Sequence, residues 1–233
     1  MGRRLILRLA TPALCLLGCQ TQEEPTAWVR FVHVNPEYAA TVDVWAGKKP
    51  AFVGVTYGDA TSYATFLTQS SFQAFPEGRR APALFAISPR MEAERKYSLL
   101  FLFGVPNQAL VLPDDTTAPP SGQAYVRFVH AALGVGRLLV TDAPLRGGGG
   151  QPRLESPQEL LITLRQAGHV TGYRAFQAGD VVLYLSPDGV RSTVSARLSL
   201  RSGSLYTVVI TGSGNLQHGL PLRFRSYEHL LIP

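Results

Sequence analysis

The residues most able to do chemistry are two histidines in a repeated string. Val29-Arg30-Phe31-Val32-His33 recurs, unchanged, as Val126-Arg127-Phe128-Val129-His130, 97 positions later. A histidine can ligate a metal or move a proton, but either task needs carboxylates or further histidines converging on it. On a strand, Val29, Phe31 and His33 share one face, which makes a hydrogen-bonded structural histidine the expected reading and a ligand-binding one the alternative. Arg30 and Arg127 point the other way. Asp43 is expected on a strand beside Arg30, where a cross-strand ion pair or a ligand contact would use both. Tyr57 and Tyr63, with Trp28, Tyr38 and Trp45, could form a stacking platform for sugars. The candidate ligand-binding residues are therefore Arg30, His33, Asp43, Tyr57, Tyr63, Arg127 and His130.

Catalytic and cofactor signatures are weak. His169, His218 and His229 lack metal-ligand spacing, and no Gly-x-Ser-x-Gly elbow occurs. Gly147 to Gly150 is bounded by Pro144 and Pro152, which suits a surface loop better than a phosphate cradle. Gly134-Val135-Gly136 lacks the third glycine of a dinucleotide fingerprint. Asp114-Asp115 lacks the further oxygen ligands that calcium requires. No catalytic residue, metal or cofactor is expected, and the chain is not expected to be an enzyme.

The elements that would carry these residues are short and β-like. Trp28–Val34, Thr41–Trp45, Val181–Leu185, Val194–Leu200 and Tyr206–Ile210 are rich in β-branched and aromatic residues. Asn35-Pro36, Gly47, Ser186 to Gly189 and Ser202-Gly203 separate them as turn signals. Val194, Ala196, Leu198 and Leu200 alternate with polar residues, which predicts one buried and one wet face. The turn at Ser186 to Gly189 predicts a hairpin. One segment is ambiguous: Ser156-Pro157-Gln158-Glu159 has a helix-start pattern, and residues 156–167 could form a helix. The repeat instead sets Leu161–Leu164 opposite the strand-like Phe52–Val55, which favours a strand.

Two further matches keep the order of the first. Tyr63 to Phe66 matches Tyr173 to Phe176 at an offset of 110, and Tyr97 to Leu100 matches Tyr206 to Val209 at 109. The pattern predicts two tandem domains, the second with about 13 extra residues around Gly147. Pro113 to Gly122, rich in prolines and turn formers, predicts the connection. The expected organisation is a signal peptide over 1–18, a lipidated tether over 19–26, a first domain over 27–112, the linker over 113–122 and a second domain over 123–233. The expected fold is all-β: two tandem immunoglobulin-like or transthyretin-like antiparallel sandwiches.

The N-terminus supplies an address. Arg3, Arg4 and Arg8 precede or interrupt an apolar stretch too short to span a bilayer, as in a secretory signal. Leu16-Leu17-Gly18-Cys19 resembles the bacterial lipobox, which implies acylation of Cys19 and anchoring by several acyl chains, since one chain binds only marginally. Gln20 after the cysteine implies outer-membrane sorting, with the periplasmic or surface face left open. Removing the signal takes away Cys15, and acylation consumes Cys19, so no disulfide is expected. The net charge then falls from +6 to +3 as three arginines leave, which disfavours a nucleic-acid partner.

The Val-Arg-Phe-Val-His start, Val42-Asp43-Val44-Trp45, Tyr57-Gly58 with Tyr63, and the Asp114 to Pro120 linker together resemble a bacterial cell-envelope family called domain of unknown function 4397. The resemblance spans nearly the whole chain after the tether. It implies tandem β-sandwiches on an envelope lipoprotein, and it brings no activity. Copy two departs from the pattern: Ala131-Ala132-Leu133-Gly134 lacks the proline of Val34-Asn35-Pro36, and Val140-Thr141-Asp142 replaces Val-Asp-Val. The function expected is a non-catalytic binding, adhesion or scaffolding module, with an envelope protein as partner. The alternative is binding of an envelope polysaccharide. The expected contact loops are Asn35–Ala40, Tyr57–Tyr63 and the segment around Gly147.

Overall fold

The computed structural model describes residues 24–105, 108–114, 117–145, 161–187, 194–214 and 219–229. The signal, Cys19, the glycine run and Ser156 to Glu159 lie outside the described residues.

Eight strands build a first sandwich: β1 (Thr26–His33), β2 (Val42–Ala46), β3 (Lys49–Val55), β4 (Ala64–Leu67), β5 (Phe72–Pro76), β6 (Phe85–Ile87), β7 (Lys96–Phe101) and β8 (Ala109–Asp114). Eight more build a second: β9 (Gln123–Leu133), β10 (Leu138–Thr141), β11 (Leu161–Leu164), β12 (Arg174–Gln177), β13 (Gly179–Pro187), β14 (Val194–Leu200), β15 (Leu205–Ser213) and β16 (Arg223–His229). The first pairs as β4-β1-β7-β8 and β3-β2-β5-β6, the second as β12-β9-β15-β16 and β11-β10-β13-β14. Strand for strand, the second order repeats the first. Neighbours are antiparallel except the central pairs β1–β7 and β9–β15, which run parallel.

Each pair of sheets closes on its own core. Val29, Phe31, Val44, Phe72, Leu99 and Phe101 fill the first. Phe128, Val140, Ile162, Leu183, Val208 and Ile210 fill the second. Leu161–Leu164 is strand, pairing β10 with Leu138 opposite Leu164. The segment weighed between helix and strand thus ends in a strand because its apolar residues complete a sheet. β13 and β14 pair in the expected hairpin, with Leu185 opposite Val194.

β1 and β9 are buried on both faces. Val29 and Phe31 face the core of their sandwich, while Val32 and Val34 turn outward. There they meet Leu100, Leu102, Leu112, Val129, Ala131 and Val209 in a third apolar cluster drawn from both sandwiches. Each such valine or leucine gains roughly 1.5–3 kcal/mol over exposure. The outer faces of the two central sheets are therefore covered by each other. Gly58 and Gly168 sit where the halves approach closely. A Cβ on Gly58 would lie 2.7 Å from the Arg225 guanidinium, and one on Gly168 would lie 2.3 Å from Val105 Cγ1.

One expectation shifts at the connection. β8 runs through Pro113 and Asp114, two residues the sequence assigned to the linker. Proline fits there because β8 is an edge strand, whose outward side needs no N–H donor.

Candidate functional site

The two sandwiches meet over a buried polar cluster built from equivalent positions. In the first, Arg30 Nε donates to Ser98 Oγ at 2.8 Å, and the Ser98 hydroxyl donates on to Asp114 Oδ2 at 2.8 Å. In the second, Arg127 Nε donates to Thr207 Oγ1 at 2.8 Å, and the Thr207 hydroxyl meets His229 Nε2 at 2.7 Å. Strand register explains the match. Arg30 lies opposite Ser98 on β7, and Ser98 lies opposite Leu112 on β8, two residues before Asp114 on the same face. Arg127 lies opposite Thr207, and Thr207 lies opposite Tyr227, two residues before His229.

The arginines then reach across. Arg30 Nη1 donates to the Glu228 carbonyl at 2.8 Å, and Arg127 Nη1 donates to the Pro113 carbonyl at 2.7 Å. These are mutual contacts between equivalent positions, the mark of a twofold-like interface. Asp114 adds an asymmetric bond by accepting from Arg127 Nη2. Tyr63 caps Asp114, its hydroxyl donating to Oδ2 at 2.6 Å. Tyr173 caps His229 more loosely, at 3.4 Å from Nδ1. His229 Nδ1 is also 3.4 Å from Asp114 Oδ1.

Solvent barely reaches this cluster: Arg30, Lys96, Asp114 and Arg127 are 3%, 5%, 4% and 4% exposed. Burial raises the Asp114 carboxyl, but His229 once it is protonated, together with Arg127 and Arg30, overcomes it and holds Asp114 below its ordinary value. Burial lowers His229 to about 3, against the pull of Asp114 and helped by Arg30, Arg127 and Lys96. The ring is neutral at physiological pH. The Asp114 carboxylate, an acceptor only, faces Nδ1 and so favours the ring proton there, which leaves Nε2 to accept from the Thr207 hydroxyl. Burial also pushes the Tyr63 hydroxyl up and Lys96 down. The cluster can join two bodies in one orientation. It leaves no open position for a substrate proton.

The other sequence candidates separate. His33 and His130 are fully buried on the core face of their strands. His33 Nε2 bonds the Ala40 carbonyl at 2.9 Å, and His130 Nε2 bonds the Gly136 carbonyl at 2.8 Å. Each pins the loop that leaves its strand. Burial lowers His33 to about 4 and lowers His130 as well, so both act as neutral N–H donors. Asp43 is not beside Arg30. β1 and β2 belong to different sheets, and Asp43 instead accepts from Gly54 N at 2.8 Å and Gly78 N at 2.9 Å. Tyr57 crosses to the second sandwich and shares a 2.8 Å hydrogen bond with Thr211. The proposed aromatic platform is dispersed: Tyr63 serves Asp114, Tyr57 serves Thr211, and Trp45 lies under Arg80, 3.4 Å from guanidinium carbon to ring centroid.

Of the candidate ligand-binding residues read from the sequence, Arg30, Arg127 and Tyr63 lie in this cluster; their partners Ser98, Thr207, Asp114, Tyr173 and His229 were missed. A signal for the hydroxyls was present, since Ser98 and Thr207 occupy the same place in the third repeat match. Asp114 was hidden by its proline-rich neighbours.

Two open grooves lie at equivalent sandwich edges. One, of about 480 Å³, includes Arg90, Glu92, Tyr97 and Val111; the other, of about 350 Å³, includes Asp180, Arg201, Tyr206 and Glu228. In each, the tyrosine hydroxyl accepts a backbone N–H five residues before it, Glu92 in one and Arg201 in the other. Among the described residues, no three His, Cys, Asp or Glu side chains gather as metal ligands, and no helix is long and apolar enough to cross a membrane.

Residues 27–141 match the family described as "Domain of unknown function (DUF4397)". Two crystal structures, each described as that of a "putative cell adhesion protein", are similar to this chain. That from Bacteroides eggerthii shares 9% identity, covers 88% of this chain and 95% of its own, and has a TM-score of 0.23. That from Parabacteroides distasonis shares 7% identity, covers 87% of this chain and 99% of its own, and has a TM-score of 0.20. No curated protein matches.

Proposed function

We propose that this chain, whose residues 27–141 fit the DUF4397 family, is a lipid-anchored envelope protein. On this reading it holds two tandem copies of one domain and acts as a non-catalytic binding or scaffolding module. The observation that carries the reading is orientation. The Arg30 level of β1 meets the Arg127 level of β9, and the Val34 level meets Thr211, which bonds the Val34 carbonyl at 3.0 Å. The two central strands therefore run side by side in the same direction. The tether enters at Thr26, the start of β1. Every loop that follows the ends of β1, β3, β9 and β11 lies at the opposite end. That far end presents Asn35–Ala40 and Tyr57–Asp59 from one sandwich beside residues 134–137 and 167–170 from the other. Anchoring at one end and paired loops at the other suit capture of a large partner, because two linked contacts raise effective concentration. The segment around Gly147, the third loop expected to make contact, lies outside the described residues.

The test has two stages. Cys19→Ala should move the protein from the membrane to the soluble fraction, and unchanged fractionation would remove the anchor from the proposal. The released Cys19→Ala protein is then added back to cells lacking it. Charge reversal at the far end, by Glu37→Lys with Arg165→Glu, should reduce retention. Reversal at the tether end, by Lys48→Glu with Lys49→Glu, should not. Equal effects of the two sets would sink the surface assignment. Retention that survives protease treatment of the cells identifies a polysaccharide, and retention that does not identifies a protein.

A further inference from the structure

Asp114 and His229 are the same position in the two halves, and they differ in what they offer the opposing arginine. Arg127 Nη2 finds the Asp114 carboxylate. Arg30 Nη2, its counterpart, is buried with no hydrogen-bond partner. Across from it stands His229, whose Nε2 is taken by Thr207 and whose Nδ1 faces Asp114 and Tyr173. The arginines otherwise make identical bonds through Nε and Nη1. Opposite the two arginine Nη2 groups the half-sites thus differ by an acid against an imidazole, and around them Thr207 stands for Ser98 and Leu205 for Lys96.

We infer that Asp114 and His229 form a pairing code on a self-complementary sheet face, and that residue 229 decides which faces can dock. A face carrying the acid complements a face carrying either residue: against histidine one arginine meets a carboxylate across the interface, and against a second copy of itself both do. Two histidine-bearing faces leave both arginine Nη2 groups without an acceptor, and a buried unpaired charge is strongly disfavoured. The second sandwich therefore accepts the first and rejects its own kind. Lys96, Arg30 and Arg127 also surround the site, so a second carboxylate at 229 would meet enough positive charge. In tandem chains crowded on one membrane, this steers each second sandwich toward an acid-bearing first sandwich and away from a neighbour's second sandwich.

Three variants of the whole chain imitate the three pairings. Asp114→His places histidine on both faces and should lower the melting temperature by about 10 °C, the scale expected for breaking a buried pair in a chain of this size. His229→Asp places acid on both faces and should melt no lower than the parent. The exchange Asp114→His with His229→Asp restores one acid, now serving Arg30, and should recover most of the loss. That recovery is a readout that a merely structural role for Asp114 would not give. If Asp114→His does not fold, a folded exchange variant still supports the code. An exchange variant that fails to fold, or melts with Asp114→His, overturns it. So does a His229→Asp chain that melts as low as Asp114→His.

Discussion

Arg30 and Arg127 should differ in their worth to the fold, although they sit in identical strings. Consider Arg30→Met and Arg127→Met, each keeping an apolar stem of similar length. Arg127→Met removes the bonds to Thr207 and to the Pro113 carbonyl. It also strips Asp114 of its close cation, leaving Arg30 Nε at 4.0 Å. Removing one partner of a buried pair costs about 3–5 kcal/mol. Arg30→Met removes the equivalent bonds to Ser98 and the Glu228 carbonyl, and it also removes an unsatisfied buried nitrogen. That nitrogen carries a desolvation cost of about 1–3 kcal/mol, which the methionine relieves. Asp114 keeps Arg127. The expected loss for Arg30→Met is on the order of 1–2 kcal/mol, so the two variants should differ by roughly 2–3 kcal/mol. In a chain of this size that is a gap of roughly 5–10 °C in melting temperature. Calorimetry near pH 7.5, with urea titrations as a check, reads it directly. Equal losses, or a larger loss for Arg30→Met, would refute the reasoning that Asp114 is the acid of Arg127.

Acid should unfold the protein early. His33 and His229 have folded values lowered to about 4 and about 3. Their contribution is complete above the unfolded value of about 6.5 and is lost as pH falls through 6.5 toward the folded values. At pH 5 each should cost about 2 kcal/mol relative to pH 7.5, and His33→Gln should flatten the urea-midpoint profile over that window. Asp114, lowered in the fold, adds a further loss only below about pH 4. Gly168→Ala should weaken the junction between the sandwiches. Its φ of +83° and a Cβ position 2.3 Å from Val105 Cγ1 leave no room. A loss of at least about 1 kcal/mol is expected, with faster amide exchange at Val32 and Val129 as the local readout. Phe128→Ala, in the core of the second sandwich and fully buried, should cost about 3–5 kcal/mol.

Strand content and strand faces were legible because alternation is a local property. Val194–Leu200 reads as half-buried and is half-buried. The repeated string gave the equivalence of Arg30 with Arg127 and of His33 with His130, and both pairs occupy matching places. What alternation cannot convey is which strands become neighbours. Consecutive order suggests β1 beside β2 and so Asp43 beside Arg30, yet this chain crosses from one sheet to the other between β1 and β2. The parallel β1–β7 pairing brings Ser98 to Arg30 across 68 residues, a separation at which no local signal operates. Asp114 was obscured for a related reason: proline and turn-forming neighbours mark a loop, and only the edge position of β8 lets them stand in a strand. Val32 and Val34 gave a quieter warning. They make β1 apolar on both faces, which a one-sided sheet does not need.

That double-faced apolarity fixes contact but not orientation. A patch of Val, Leu and Ala attracts in proportion to area and is indifferent to rotation. Two levels of directional bonds remove that freedom. One level is the arginine pair, reaching the Glu228 and Pro113 carbonyls. The other lies four residues along β1, where Tyr57 and Thr211 bond each other, Thr211 bonds the Val34 carbonyl, and Tyr227 bonds the Gly58 carbonyl at 2.9 Å. At roughly 3.3 Å per residue the levels are about 13 Å apart, one at each side of the apolar cluster. Each bond is worth little net. A rotation between the sheets would break bonds at both levels together and leave buried carbonyls and guanidinium groups unpaired. An all-apolar interface could be as stable, but it would not hold the far-end loops of both sandwiches in one register. If those loops bind as a pair, the buried arginines set the spacing at which they do so.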